Sequence, residues 1–572
     1  MSTTSGIMGQ PDRRRETQTL YIFMAGWFII NMLQACFLGL EGDEAYYWHL
    51  SRNIDWSYFD HPPMVALLIR VGETFGHGSL FTRLGTVLVT TLSIGIIYKA
   101  LPVYLKNIKW YILIAASTLL INVYSFITTP DAPLLFFASL FLLTYKNFLN
   151  KSSIGNSILM ALCITGMFYS KYHGILLIFF VVLSNYKLVF NRYFWLTVLI
   201  TSLLFLPHLY WQYQHDWPSF RYHLNERLAR YYKINHTTDY LLGQILVFGP
   251  FISLLFYATC YRLKIKDQLL RTHLFIFAGT LIFFLISSFK NTVEAHWTLI
   301  AAPSFMTLFM ALIINGTHKY QRLVRKFAIA NIIIILLARV LFLVPYSPFT
   351  LIRHYYPFFY GKQWAETLHK AAGNTPVIFE NSYVLPSLYT YYFPTAKALD
   401  YNTKSYRKTN YNLENDCELS GQKVWHYQIT REKDPAFTYI DTKYNPGLIR
   451  PIEHFTCVNT IKVKPQQELP QKLKRGTVYP ISLQLENQSL KEIKVFNNLE
   501  VDYAFFRAKS DYINSTETYK ITSGILGPYQ KQTLTINLKT PDTPGRYKLL
   551  FSIKNGNLYG NFASPFYSVE IN

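Results

Sequence analysis

Two acidic residues, Asp43 and Glu44, directly follow the first long apolar run, in the motif Gly42-Asp43-Glu44-Ala45-Tyr46-Tyr47-Trp48. A carboxylate at the edge of hydrocarbon is costly unless it faces a cavity or a partner. This pair is therefore a candidate for proton transfer. Further along the same loop stand Asp60-His61-Pro62-Pro63. The prolines stiffen the backbone that carries the polar pair. A carboxylate and an imidazole at this spacing can ligate a divalent ion, or the imidazole can contact a phosphate. The plain alternative is an interfacial turn with solvated side chains. Asp131, in Thr128-Thr129-Pro130-Asp131-Ala132-Pro133, reads as a helix N-cap, a third acid of the same site, or both. Lys171 and Lys290 each end an apolar run where cations are otherwise scarce. Each is either a snorkelling lysine or a hold on something anionic. In the loop 212–238, His223, Arg227 and Arg230 share one face at helical spacing. Together these groups suit a reaction on an anionic lipid: cations hold a phosphate, and a carboxylate takes a proton. A metal or fixed cations would stabilise charge on a leaving phosphate.

The elements that must position these groups are membrane helices. Of 572 residues, 51% are hydrophobic and only 15% charged, and the uncharged runs are confined to 18–345. A span needs about 20 apolar residues, and runs of that kind number about eleven. They lie near 18–40, 81–104, 109–126, 131–149, 154–170, 173–190, 193–211, 239–261, 270–288, 295–315 and 326–345. The first is not followed by a small-residue cleavage site, so it reads as a span and not a signal peptide. Cations gather in alternate loops: Arg13 to Arg15, Lys106 and Lys109, Lys146 and Lys151, Lys187 and Arg192, then Arg262 to Arg271 and Lys319 to Lys326. The positive-inside rule makes these loops cytoplasmic and puts the acids and the C-terminal region outside. The net charge of +22 is thereby explained by topology, without a nucleic-acid partner.

The outer loop 41–80 is too long for a hairpin. Within it, Met64, Leu67, Leu68 and Val71 recur at helical spacing between Pro63 and Phe75, and Arg70 suits a helix lying in the interface. Residues 346–572 read as water-soluble. Helical pattern at Trp364–Ala372 and strands at 376–380 and 423–427 suggest a small α/β unit over 346–460. Alternating strands at 479–485, 500–506, 532–538 and 547–553 suggest an immunoglobulin-like β-sandwich over 461–572. Cys417 and Cys457 fall in this region, where an oxidising compartment would allow them to pair.

The combined pattern GDEAYYW, YFDHPPMVALLIR, FTR, TTPDAPLLFF, YSKYHG and SFKNTVEAHWTLIAAP resembles the GT-C glycosyltransferases of the protein-mannosyltransferase superfamily. It is most similar to the bacterial branch of lipid A aminoarabinose and galacturonic acid transferases. The resemblance covers residues 18–345 and implies a membrane all-α bundle with soluble C-terminal domains in a bacterial inner membrane. It implies a polyprenyl-phosphate sugar donor, a lipid, glycan or protein acceptor, and an inverting displacement. Carried over residue by residue, it makes Asp43 the favoured general base, with Glu44 and Asp131 as the other catalytic acids. His61, Lys171 and Lys290 are then the phosphate-binding set, to which the helical face in the loop 212–238 adds Arg227. Asp60 and His223 would hold a divalent metal ion. Where relatives carry lysine after the acid, this chain carries His61. The competing reading is a polyprenyl-linked glycan flippase or transporter. Such a protein would be expected to carry charges near the bilayer midplane and internal repeats. Here the charges sit at span ends.

Overall fold

The computed structural model describes residues 13–222, 232–414, 416–496, 498–508, 511–522 and 524–572. Among them, seven helices are long and apolar enough to cross a membrane. The pair Ile234–Val247 and Pro250–Arg262 makes an eighth segment, bent by 101°. Three shorter apolar helices, Ile108–Ser117, Ile154–Ser170 and Gly174–Ser184, occupy three further expected positions. The chain is thus a multi-pass membrane protein, but four of the expected spans are broken or short. The bend of the eighth segment falls at Gly249, whose φ is +102°. A Cβ there would meet the Asn331 side chain at 2.3 Å and the Ser117 carbonyl at 2.6 Å. Only glycine combines that conformation with that approach. Apolar side chains such as Ile29, Leu33, Ile333 and Leu337 are exposed on the outer helices, as a lipid solvent allows.

Helix α1 (Arg13–Phe37) leads into α2 (Gly42–Ser51). A capping box starts α2: Glu41 accepts from the Asp43 N–H, and the Glu44 side chain accepts from the Glu41 N–H. Helix α3 (Met64–Glu73) follows and packs on α4 (Ser79–Ala100). Its buried residues are Val65, Ala66, Ile69 and Gly72. The expected apolar stripe at Met64, Leu67, Leu68 and Val71 is therefore not the packed face. Leu67 and Val71 are exposed, which suits a helix whose outer face meets lipid.

Two helices, Tyr356–Ala372 and Val384–Tyr392, accompany a five-stranded mixed sheet. Its order is Ala398–Tyr401, Val377–Glu380, Val424–Ile429, Gly447–Ile452, Thr438–Ile440, with the first three strands parallel. Beyond it, two β-sheets share one core. One is built on Leu499–Ala508 and Gly545–Asn555, the other on Val478–Asn487 and Lys531–Lys539. A disulfide joins Cys417 to Cys457. Ala45, Tyr46, Trp48, Val65 and Ile69 belong to the same buried cluster as Trp364, Leu368, Val377 and Leu388. Helices α2 and α3 are thus built into the soluble region's core. Each fully buried large apolar side chain there contributes roughly 1.5–3 kcal/mol, so the outer loop is fixed as firmly as a helix of the bundle.

Candidate active site

Glu44 and Asp43 are neighbours with different surroundings. Glu44 is fully buried and saturated: Arg83 Nε and Nη2, the Thr128 N–H and the Glu41 N–H all donate to it. Arg83, from α4, also donates to the carbonyls of Ala35, Leu38 and Gly39. This hub ties the end of α1 to α2, α4 and the turn before Asp131. All of its acceptor positions are occupied in this arrangement, which speaks against the expected role of Glu44 as a catalytic acid.

Asp43 meets the soluble region instead. Its Oδ1 accepts from the Tyr383 hydroxyl at 2.8 Å. Its Oδ2 holds no hydrogen bond among the described residues. Burial raises the Asp43 carboxyl above its ordinary range, against the Tyr383 bond and the nearby Arg407 charge, which lower it. An acid raised in this way is better matched to proton transfer near neutrality than a solvated aspartate.

Asp60 is 6% exposed and accepts from two groups. Tyr46 donates to Oδ2 at 2.6 Å, and Arg407 Nη1 to Oδ1 at 2.7 Å. Arg407 also lies over the Tyr383 ring, 4.7 Å from its centroid. The expected divalent ion fits this arrangement poorly, because a guanidinium already stands on one carboxylate oxygen and a phenol on the other. Its second expected ligand, His223, and the expected phosphate ligand Arg227 lie outside the described residues. The one described cluster with metal-ligand spacing, Asp416 with Cys417 and Cys457, has its sulfurs committed to the disulfide.

Asp131 opens the helix Asp131–Asn150, but Pro130 holds the cap position and no side-chain cap bond forms. The capping reading is therefore corrected. Lys171 Nζ grips both Asp131 oxygens, at 2.9 and 2.8 Å, and His296 Nε2 lies 3.8 Å from one of them. Lys171 and His61 line a cavity of about 520 Å³ together with Asp60 and His173. The other walls are mainly apolar, with Phe168, Ile175, Leu176, Phe205, Phe220 and Phe283. Lys290, just past the helix Gln268–Ser288, is exposed and makes no side-chain bond among the described residues. The structure does not bring it to the carboxylates.

Tyr47 lies close to several of the remaining groups. Its ring stands edge-on to His61, 5.7 Å between centroids. Burial raises its phenol first, and the charges of Asp43, Tyr383, Asp131 and Asp60 raise it further. Asp43, Asp60 and Asp131 thus act electrostatically on one buried tyrosine that His61 touches, and Lys171 joins the group through Asp131. Tyr383 and Arg407 complete the set, and sequence reasoning missed both. Each follows the carboxyl end of a parallel strand, Val377–Glu380 and Ala398–Tyr401. That edge of an open sheet is where ligand-binding groups collect. Asp400 links the two turns, accepting from the Ser382 N–H at 3.0 Å and from Thr409 Oγ1 at 3.2 Å.

Residues 60–211 match the family described as dolichyl-phosphate-mannose-protein mannosyltransferase. The chain is 25% identical over 233 residues to the lipid A galacturonosyltransferase RgtD of Rhizobium johnstonii, covering 39% of this chain and 49% of that protein. The match therefore spans about half the length of that relative. The crystal structures of ArnT from Cupriavidus metallidurans superimpose with TM-score 0.55, over 76% of this chain and 98% of theirs. Identity is 12% to the apo form and 15% to the form bound to undecaprenyl phosphate. The fold is that of these ArnT structures, a GT-C bundle, and part of the sequence is similar to RgtD.

Proposed function

Starting from that kinship, we propose that the protein transfers a sugar from a polyprenyl phosphate to a lipid-borne acceptor at the extracytoplasmic face of a bacterial inner membrane. The N-terminus is then cytoplasmic and the C-terminal domains lie outside. The observation that carries the reading is the cavity: its walls are mainly apolar, and Lys171, His61, His173, Tyr172 and Asp60 are its ionisable lining. Such a cavity suits the first isoprene units and the phosphate of a lipid carrier. Lys171 has three N–H donors and spends two on Asp131, which leaves one for a phosphate. His61 stands beside it. Lys290, exposed just past the helix Gln268–Ser288, would meet a lipid phosphate only outside the cavity.

In this scheme Asp43 Oδ2 takes the proton of the acceptor hydroxyl. The hydroxyl oxygen attacks the anomeric carbon, the bond from that carbon to the phosphate oxygen breaks, and the phosphate leaves with the electron pair. Configuration inverts. A leaving phosphate needs less protonation than an alcohol, so one base and fixed cations suffice. A divalent ion at Asp60 would compete with Arg407 for the same oxygen, so the metal reading predicts chelator-sensitive transfer and the Arg407 reading does not.

The test is transfer by the purified full chain in lipid, offered mixed polyprenyl-phosphate sugars and a bacterial lipid extract. Asp43→Asn should lose at least about a hundredfold, the scale of a removed general base. Equal transfer by both proteins would remove Asp43 from the chemistry. Lipid binding without transfer would favour movement of the lipid across the membrane.

A further inference from the structure

Among the described residues, the C-terminal β-sandwich contributes no group that bonds to Asp43 or Asp60 or lines the cavity. It does grip the segment that delivers Arg407. Residues 402–409 form a strap between the strand Ala398–Tyr401 and the short helical turn Asn410–Asn412. At one end, Thr403 donates its N–H and its hydroxyl to Asn381 Oδ1, at 2.9 and 3.0 Å. At the other, Thr409 is held by Asp400 and by Asn412.

The middle of the strap belongs to the sandwich. Thr403 bridges Asn561 in antiparallel fashion, and the Lys404 N–H donates to the Gly560 carbonyl at 2.8 Å. The Lys404 side chain enters the sandwich and pairs with Asp502, which also accepts from Ser552 Oγ. Asp502 and Ser552 are cross-strand partners on Leu499–Ala508 and Gly545–Asn555. All three are buried, Lys404 at 7% exposure and Asp502 at 6%. Lys408 lies 5.7 Å from the Phe562 ring centroid. Between these two anchored lysines, Arg407 extends the other way, to Asp60.

We propose that the sandwich is a clamp on this strap, and that Lys404 is the positioning residue through which it sets Arg407 against Asp60. Three features support the assignment. A desolvated lysine with one carboxylate partner has a single low-energy place, because leaving it strands a buried charge. That place is three residues from Arg407, too short a tether for the strap to drift. The clamp is also close-packed: a Cβ on Gly560 would meet Ser552 Oγ at 2.7 Å and Asp502 Oδ1 at 2.8 Å.

The proposal rests on the sugar-transfer reading for its catalytic consequence, and its structural half is measured separately. The variants are Lys404→Met and the pair Lys404→Met with Asp502→Leu, which leaves no stranded charge if the single variant fails to fold. Hydrogen exchange on the full chain in lipid is the first readout. Amides 404–408 should exchange about tenfold faster in the paired variant, as a released segment does, while Val377–Glu380 keeps its protection. Unchanged exchange overturns the clamp. The second readout is donor KM against kcat. The paired variant should raise donor KM about tenfold with kcat nearly kept, and should add nothing in an Arg407→Met background, since coupled residues are not additive. An equal loss in both backgrounds shows a role that does not run through Arg407 and overturns the proposal. If the wild-type chain transfers no sugar, the sugar-transfer reading fails, and the exchange result alone then decides the clamp.

Discussion

The hub around Glu44 and the edge around Asp43 sit one residue apart and were built by different rules. At the hub, every partner comes from the helical bundle and its first loop, and every acceptor site is used. At the edge, Asp43 and Asp60 each take one partner from the soluble region, Tyr383 and Arg407. One Asp43 oxygen is left open. The difference teaches how to separate two acids that look alike in a motif. A saturated buried carboxylate is a rivet, and a carboxylate held on one side only is the candidate for proton transfer.

Breaking the rivet should have the largest effect. Arg83→Met strands the Glu44 charge, and loss of one partner of a buried pair costs about 3–5 kcal/mol. The expected outcome is a protein that accumulates poorly and melts early in detergent. Replacing the pair together, Glu44→Gln with Arg83→Met, should recover much of that stability. Normal melting of Arg83→Met alone would make the hub an ordinary surface contact.

Breaking the edge should spare the fold and cost chemistry. Arg407→Met removes the cation from Asp60 but leaves it the Tyr46 bond, so donor use should weaken by about tenfold while melting falls less than in Arg83→Met, because Arg407 is itself partly exposed and Arg83 is not. Parallel loss of activity and melting temperature would place Arg407 with the rivets.

Sequence and structure agree where the information is local. The apolar runs that mark helices 79–100, 131–150, 192–214 and 268–288 carry their own solvent preference, so their positions were legible. Asp43 and Asp131 stood out as acids at the ends of apolar runs, and Asp60 by the histidine and two prolines that follow it. The fates of those acids were not legible. Tyr383 and Arg407 lie 340 and 347 residues from the carboxylates they serve, on loops whose composition is unremarkable. Glu44 and Asp43 are indistinguishable until Arg83 is placed. The broken span at Gly249 escaped because an apolar run does not report its own bend. The stripe on α3 marked the outward apolar face, while the face packed on protein, Val65, Ala66, Ile69 and Gly72, was not singled out.

The edge can be sharpened by its pH response. Asp43 must be deprotonated to accept a proton, so transfer should rise as pH climbs through its raised pKa. Burial sets that raised value, and the Tyr383 bond lowers it. Tyr383→Phe deletes the lowering bond, so the acid limb of kcat/KM should move to higher pH. A limb that stays in place, with activity present, would assign the titration to a different group.

The smallest effect sharpens the boundary between hub and edge, because Glu41 touches both: its side chain accepts from the Asp43 N–H, and its own N–H donates to Glu44. Burial, then the charges of Asp43 and Glu44, push its carboxyl from 4.5 up to about 8. The folded protein therefore keeps a proton that the unfolded chain releases near 4.5. Stability from this group is complete below that pH and is lost as pH rises toward about 8. Melting in detergent should fall between pH 5.5 and 8.5, conditions chosen to span roughly that window. Glu41→Gln keeps an acceptor for the Asp43 N–H and removes the titration, so part of that fall should vanish. A fall of the same size in Glu41→Gln would move the source to the soluble region, where burial pushes Asp400 up to about 7 and Asp416 up to about 6.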